Sequence, residues 1–222
     1  MTLVLGTKKK GYLVMVADDK YEKGLWEKGY KYVVGIDESG MGCFAGDVFV
    51  AAVIFPIGFD YKKFSYVLND SKKKTAQQRE KLYEEIKQKA LSYAIATASV
   101  SEIDKHNIYW ARFIAARRAL DKLDFNPDYI LIDGNAEVPD VDIPQEALVK
   151  GDQKSISIAA ASILAKVDRD KHIEELAQKV HPDYNWAHNK SYYDLKQIEA
   201  IKKHGKTKWH REKYCSKYLE EK

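Results

Sequence analysis

This chain has little cysteine, no long apolar run and little net charge. Its two cysteines, Cys43 and Cys215, stand far apart and form no metal-type spacing. That argues against a disulfide framework or a cysteine zinc site and points to free thiols in an intracellular, cytoplasmic protein. No apolar run approaches the ~20 residues of a membrane span, so no membrane role is expected. Residues 1–10 lack the apolar core and small-residue cleavage site of a secretory signal. There is no internal repeat and no low-complexity linker. A net charge of +4 is too mild to name a nucleic-acid partner by itself, although the basic residues gather at 72–74, 202–203 and 206–217. What the chain does have is 222 residues, enough for one sizeable core with a small appendage. Its 45% hydrophobic and 32% charged content is that of an ordinary globular protein.

The apolar pattern predicts strands alternating with helices. Strands are expected over 32–36 and 47–55, joined by a Gly-containing turn as a hairpin. A helix over 75–91 follows, with Thr75 as its cap. A strand over 93–100 leads to a capping box at Ser101 and Asp104, which opens a short helix near Asn107. Then come a helix over 110–123, strands over 129–132 and 147–149, and a long helix over 156–180. This order implies one α/β domain around a central sheet over 31–180, with a basic helical region over 181–222 packed on it. Residues 1–30 form a separate arm or small appendage. Within it, 2–16 reads as a small hairpin or a mobile arm, and 18–26 as a short amphipathic helix with no assignable chemistry.

Asp37-Glu38 carries the most information. The pair closes the apolar run 32–36 and precedes Gly40-Met41-Gly42. Successive strand side chains face opposite sides, so one carboxylate faces inward with no basic neighbour in sequence. A buried carboxylate needs a partner or a metal; the bland account is a solvated strand end. Asp133 and Asp152 repeat the pattern of strand, acid, then turn or helix. Sites in open α/β sheets form outside the carboxyl ends of strands, so these acids can converge. Like charges ~4 Å apart cost several kcal/mol inside a protein, and such a cluster calls for a cation. All-oxygen ligands suit Mg²⁺ or Mn²⁺ rather than zinc. Two such ions ~4 Å apart are the usual arrangement for in-line attack on a phosphodiester. Alone, Asp133-Gly134-Asn135 reads equally well as a turn.

Five motifs in order then resemble bacterial ribonuclease HII. They begin with Gly35-Ile36-Asp37-Glu38-Ser39-Gly40-Met41-Gly42-Cys43-Phe44-Ala45-Gly46 and Leu68-Asn69-Asp70-Ser71-Lys72-Lys73. Next come Leu131-Ile132-Asp133-Gly134-Asn135, and Lys150-Gly151-Asp152 with the small-residue run 157–167 and Arg169-Asp170. The last is Asn189-Lys190-Ser191-Tyr192 with His204-Gly205 and His210-Arg211. The resemblance implies an α/β ribonuclease H-like fold, with a five-stranded mixed sheet flanked by helices and a helical C-terminal region. It implies a monomer that cleaves the RNA strand of RNA–DNA hybrids and DNA containing embedded ribonucleotides, leaving 5′-phosphate and 3′-hydroxyl ends. Asp37, Glu38, Asp133 and Asp152 match its catalytic, metal-binding carboxylates, which would hold two Mg²⁺ or Mn²⁺ ions. Tyr192 matches the tyrosine stacked on the sugar beside the scissile junction. Gly40, Met41 and Gly42 match the turn whose backbone reads the ribose 2′-OH, the group that distinguishes RNA from DNA. Ser71 and Lys72 match a loop that holds a substrate phosphate, against a solvated helix cap as the plainer account.

Two positions depart from the family. Met41 stands where arginine is usual, which removes a phosphate-binding fork and implies a weaker or differently supported preference for a single embedded ribonucleotide. Ser191 stands where glycine is usual, and serine adopts positive φ less freely. Lys166 and Arg169 read as surface pairs, with nucleic-acid contact as the alternative. The serines within 157–165 read as small packing residues. His188, His204 and His210 lack the spacing of metal ligands on one helix and read as surface or nucleic-acid residues. Ribonuclease HIII is a rival, disfavoured by the short N-terminal segment and by Asp152 where that family has glutamate. A silent hybrid-binding module is disfavoured by the presence of all four acids.

Overall fold

The computed structural model describes residues 16–68 and 71–219. Five strands, β1 (Val33–Ser39), β2 (Val48–Ile54), β3 (Ser92–Ala98), β4 (Tyr129–Asp133) and β5 (Gln145–Leu148), form one mixed sheet of order β3-β2-β1-β4-β5. β1 runs antiparallel to β2 and parallel to β4; β3 is antiparallel to β2, and β5 parallel to β4. The described helices are α1 (Lys20–Glu27), α2 (Ala76–Lys89), α3 (Val100–Asp121), α4 (Ile156–Ala177), α5 (Trp186–Asn189), α6 (Leu195–His204) and α7 (Glu212–Cys215). None is long and apolar enough to cross a membrane.

Strand periodicity divides the core into layers. Phe49, Ala51 and Val53 of β2 pack with Leu82 and Ile86 of α2 and with the small face of α4. Val50, Ala52 and Ile54 point the other way, onto Ala111, Ala115 and Ala119 of α3. β2 is therefore buried along its whole length, as a central strand covered on both faces should be. Edge strand β3 alternates instead between buried and half-buried residues. α4 sits directly on β1: a Cβ at Gly35 would lie 2.2 Å from the Ser157 carbonyl carbon. The C-terminal helices close over the sheet end, with Trp186, Ile198 and Cys215 packed on Phe44, Ala45 and Ile173. Leu25 of α1 joins Val33, Leu131, Leu148 and Ile158 in a smaller cluster.

Most expected elements form, with informative differences. The first strand runs on to Ser39, so Asp37 and Glu38 lie within it and pair with Ala51 and Val50. Thr75 caps α2 and completes a capping box with Gln78. α3 is capped by Ser99 with Glu102, not by Ser101 with Asp104, because Ser99 has the extended backbone that a cap needs. Asn107, at φ 62 and ψ 164, divides that helix into a short and a long part, and its Oδ1 accepts from the Tyr109 and Trp110 N–H groups to open the second. All but Val16 of the hairpin or arm over 2–16, and Asn69 and Asp70 of the second motif, lie outside the described residues.

Candidate active site at the end of the sheet

β1 and β4 end side by side. Their last register pair is Ile36 with Ile132, which brings Asp37 and Asp133 next to each other. Asp152 arrives on the short 3-10 turn Gly151–Gln153 that precedes α4. The Gly151 N–H donates to Asp133 Oδ1 at 2.6 Å and ties that turn to the end of β4. The four acids line one cleft of about 150 Å³, together with Gly40, Met41, Gly42, Ser71, Lys72 and Tyr192. Every residue singled out from the sequence as a site residue is thus brought to one place.

The strand alternation that separates the core layers also separates the acids. Asp37 faces α4, where the Ser162 hydroxyl hydrogen-bonds to it. Glu38 faces α3, where Arg112 Nη1 stands 3.8 Å from Glu38 Oε2. Burial pushes the Asp37 carboxyl well above its ordinary value, and repulsion from Glu38 and Asp133 adds to this. Burial likewise pushes Glu38 up to about 7, against the pull of Arg112. Arg112 offsets only part of the cost of holding these carboxylates charged. All their donors are oxygens, in one cleft, and the set fits a hard divalent cation.

The glycine-turn side of the cleft is held by buried arginines. Gly40 has φ 105, and a Cβ there would lie 2.4 Å from Arg169 Nε. Arg211 is fully buried and donates to the carbonyls of Gly40 at 2.6 Å and Gly46 at 2.9 Å. The Tyr214 hydroxyl donates to the Met41 carbonyl at 3.0 Å. The turn's carbonyls are thereby engaged from behind. Arg169 is no surface residue: it is fully buried and donates to Ser191 Oγ at 2.8 Å and to the Lys190 carbonyl at 3.1 Å. Its guanidinium lies 5.3 Å from the Tyr192 ring, and Lys166 Nζ lies 5.0 Å from that ring. Lys166 also pairs with Asp170 at 2.6 Å and lines the cleft. Ser71 is buried, with its Oγ 3.0 Å from Ser162 Oγ, so it is not a solvated cap.

Sequence reasoning passed over Ser162 and Arg112. Ser162 was counted as packing, yet Ser162, Lys166 and Arg169 recur at helical spacing and share the cleft side of α4. Arg112 is a charge among the buried residues of α3, and that was the available signal. The histidines have other places. His210 is buried rather than on the surface, and burial pushes it down to about 4. His181, Asp183 and His204 are the only described trio with donor atoms all within 4.8 Å of one another. They lie outside the cleft, and Asp183 already binds His204 Nε2 at 2.8 Å and Lys203 Nζ at 3.1 Å. A larger groove of about 270 Å³ beside Asn107 contains none of the four acids.

Comparison with known proteins agrees with the fold and with the family resemblance of the motifs. The sequence model of the family described as Ribonuclease HII matches residues 34–218. The Ribonuclease HII of Caldanaerobacter subterraneus subsp. tengcongensis is 45% identical over 199 residues, 90% of this chain and 80% of the relative. That of Caldicellulosiruptor saccharolyticus is 40% identical over 205 residues, 91% of this chain and 97% of the relative. Among solved structures, the RNase HII of Archaeoglobus fulgidus, determined in complex with PCNA, matches at a TM-score of 0.70 and 25% identity, covering 86% of this chain and 98% of that one. With its motifs, its fold and its relatives in agreement, the chain belongs to the ribonuclease HII family, endonucleases of the ribonuclease H type that act on RNA–DNA hybrids.

Proposed function

We propose that the chain is a divalent-metal-dependent endonuclease that cleaves the RNA strand of hybrids and also cuts at ribonucleotides embedded in duplex DNA. The observation that carries this reading is the convergence of Asp37, Glu38, Asp133 and Asp152, from three separate segments, on one cleft. These carboxylates would hold Mg²⁺ or Mn²⁺, as two ions. Ions held there supply an activated water and neutralise charge on the leaving 3′ oxygen. The chain's own groups do the rest. The Gly40–Gly42 backbone, with its carbonyls engaged by Arg211 and Tyr214, presents the turn to the ribose 2′-OH. Tyr192, flanked by Lys166 and Arg169, stacks on the sugar next to the junction. Ser71 and Lys72 hold a phosphate. The buried free thiols fit a reducing cytoplasm.

The test is cleavage of a long hybrid and of a duplex with one ribonucleotide, in Mg²⁺, Mn²⁺ or chelator. Both should be cut only with metal. Asp133→Asn should remain folded and lose about a thousandfold or more in turnover, since metal stabilisation of the transition state is worth several kcal/mol. Cleavage in chelator, or near-normal turnover of Asp133→Asn, would remove the metal site. Binding without cleavage in either ion would favour the silent module. In the same assay Met41→Arg should raise single-ribonucleotide cleavage relative to the hybrid. Full wild-type activity on that substrate with no gain from arginine would clear Met41 of any role.

A further inference from the structure

The family match begins at residue 34, so α1 lies outside it. Yet α1 carries a fully buried carboxylate, Glu22. Glu22 Oε1 accepts from Ser155 Oγ at 2.5 Å and from the Ser157 N–H at 3.0 Å, both at the start of α4. Its Oε2 is buried without a hydrogen-bond partner. Burying a carboxylate in this way is costly. A helix N-terminus, with its unsatisfied N–H groups and positive dipole end, is where an anion is best received. Two backbone bonds run beside it: Asp18 N–H to the Lys154 carbonyl at 3.4 Å, and Ile156 N–H to the Asp18 carbonyl at 3.2 Å.

The clamped segment directly follows Asp152. The turn that carries Asp152 starts at Lys150, in a left-handed conformation at φ 57. It is held by Lys154 and Ser155 N–H groups, each donating to the Gly151 carbonyl at 2.9 Å. The Gly151 N–H in turn holds Asp133. A continuous set of bonds therefore runs from Glu22 through Ser155 and Gly151 to Asp133, with Asp152 in its middle.

We infer that Glu22 is a positioning residue: its buried carboxylate fixes the start of α4 and thereby sets Asp152 and Asp133 against Asp37 and Glu38. This rests on the reading of Asp152 as a metal-binding carboxylate. Glu22 touches neither metal nor substrate; it acts through the turn.

The experiment measures the Mg²⁺ dependence of hybrid cleavage and the thermal midpoint for the full chain and for Glu22→Ala, Glu22→Gln, Ser155→Ala and Asp152→Asn. Glu22→Ala should raise the Mg²⁺ concentration for half-maximal rate about tenfold, the usual scale for losing support behind metal ligands. Its kcat should largely recover at saturating Mg²⁺. Ser155→Ala should shift the same way. Glu22→Gln, which keeps an acceptor for both donors, should restore most of the loss. A lowered thermal midpoint with Mg²⁺ half-saturation within about twofold of wild type would make α1 a structural prop and overturn the inference. If Glu22→Ala does not fold, Ser155→Ala decides by the same criterion. If Asp152→Asn cleaves normally, the metal-site reading itself fails and takes this inference with it. If Asp152→Asn is inactive while Glu22→Ala and Ser155→Ala keep wild-type Mg²⁺ dependence, only this inference fails.

Discussion

Ser191 adopts φ 60, a left-handed backbone that costs a serine about 1 kcal/mol or more. It is held there by its own hydroxyl, which donates to the Ala45 carbonyl at 2.8 Å and accepts from Arg169 Nη2 at 2.8 Å. Its N–H donates to Asn189 Oδ1 at 2.8 Å. Ser191→Gly would relieve the strain but remove both hydroxyl bonds and leave Arg169 Nη2 and the Ala45 carbonyl with only their mutual bond at 3.3 Å, at about 1–3 kcal/mol. Ser191→Ala would lose the same bonds and keep the strain. Denaturant unfolding should therefore rank serine above glycine by about 1 kcal/mol, and glycine above alanine by a similar step. An alanine variant more stable than the glycine one would remove this account. From sequence, Ser191 was visible only as a departure from glycine. Its compensation was not, because Ala45 and Arg169 lie far away in the chain.

The contact between α4 and β1 places the site. At Gly35 an added Cβ would meet backbone, the Ser157 carbonyl carbon at 2.2 Å and the Ile158 nitrogen at 2.4 Å, neither of which can swing aside. Gly35→Ala should cost about 3 kcal/mol or more, the upper range for overpacking. It should also reduce turnover, since Ser162 rides on α4 and Asp152 directly precedes it. Gly24→Ala is the control: a Cβ there meets nothing within 4 Å, and alanine in a helix should be neutral or stabilising by about 0.5–1 kcal/mol. Equal thermal midpoints for the two variants would contradict the close packing. At this scale the fold was legible, because strand and helix periods differ and the small residues after Ser155 mark a helix that packs closely. Boundaries were less so. Ser99 and Ser101 are both plausible caps, and the choice is reinforced by Asp47 Oδ1, which accepts from the Val100 N–H at 3.1 Å across the sheet.

For the whole molecule, the acid cluster links stability to pH and metal. Glu38 is raised from 4.5 to about 7, and Asp37 is raised as well. Without divalent metal, the folded chain keeps protons that the unfolded chain has released. Where the folded state binds more protons, stability falls as pH rises, here between about 4.5 and 7 for Glu38. Glu102 and Asp183 are held down to about 2, so they act in the opposite sense, losing stability only as pH falls below about 4.5. The cluster's effect is therefore read above that value. Metal binding needs the deprotonated acids, so the thermal shift produced by Mn²⁺ should grow from pH 5.5 to pH 7.5. A shift that shrinks over that interval would place the metal elsewhere. The meeting of the four acids was legible because each stands at or just beyond the end of an apolar strand run in the sequence. The counter-charge from Arg112 was not, because only the folded chain brings α3 against Glu38.

The two buried thiols have a practical consequence. Cys43 adjoins the glycine turn, while Cys215 donates to the Phe44 carbonyl at 3.7 Å from within the C-terminal cluster. Burial pushes Cys215 up to about 12, and only thiolate reacts readily. Alkylation at this seam therefore waits for it to open. The rate of modification is a clock for separation of the C-terminal region from the glycine turn.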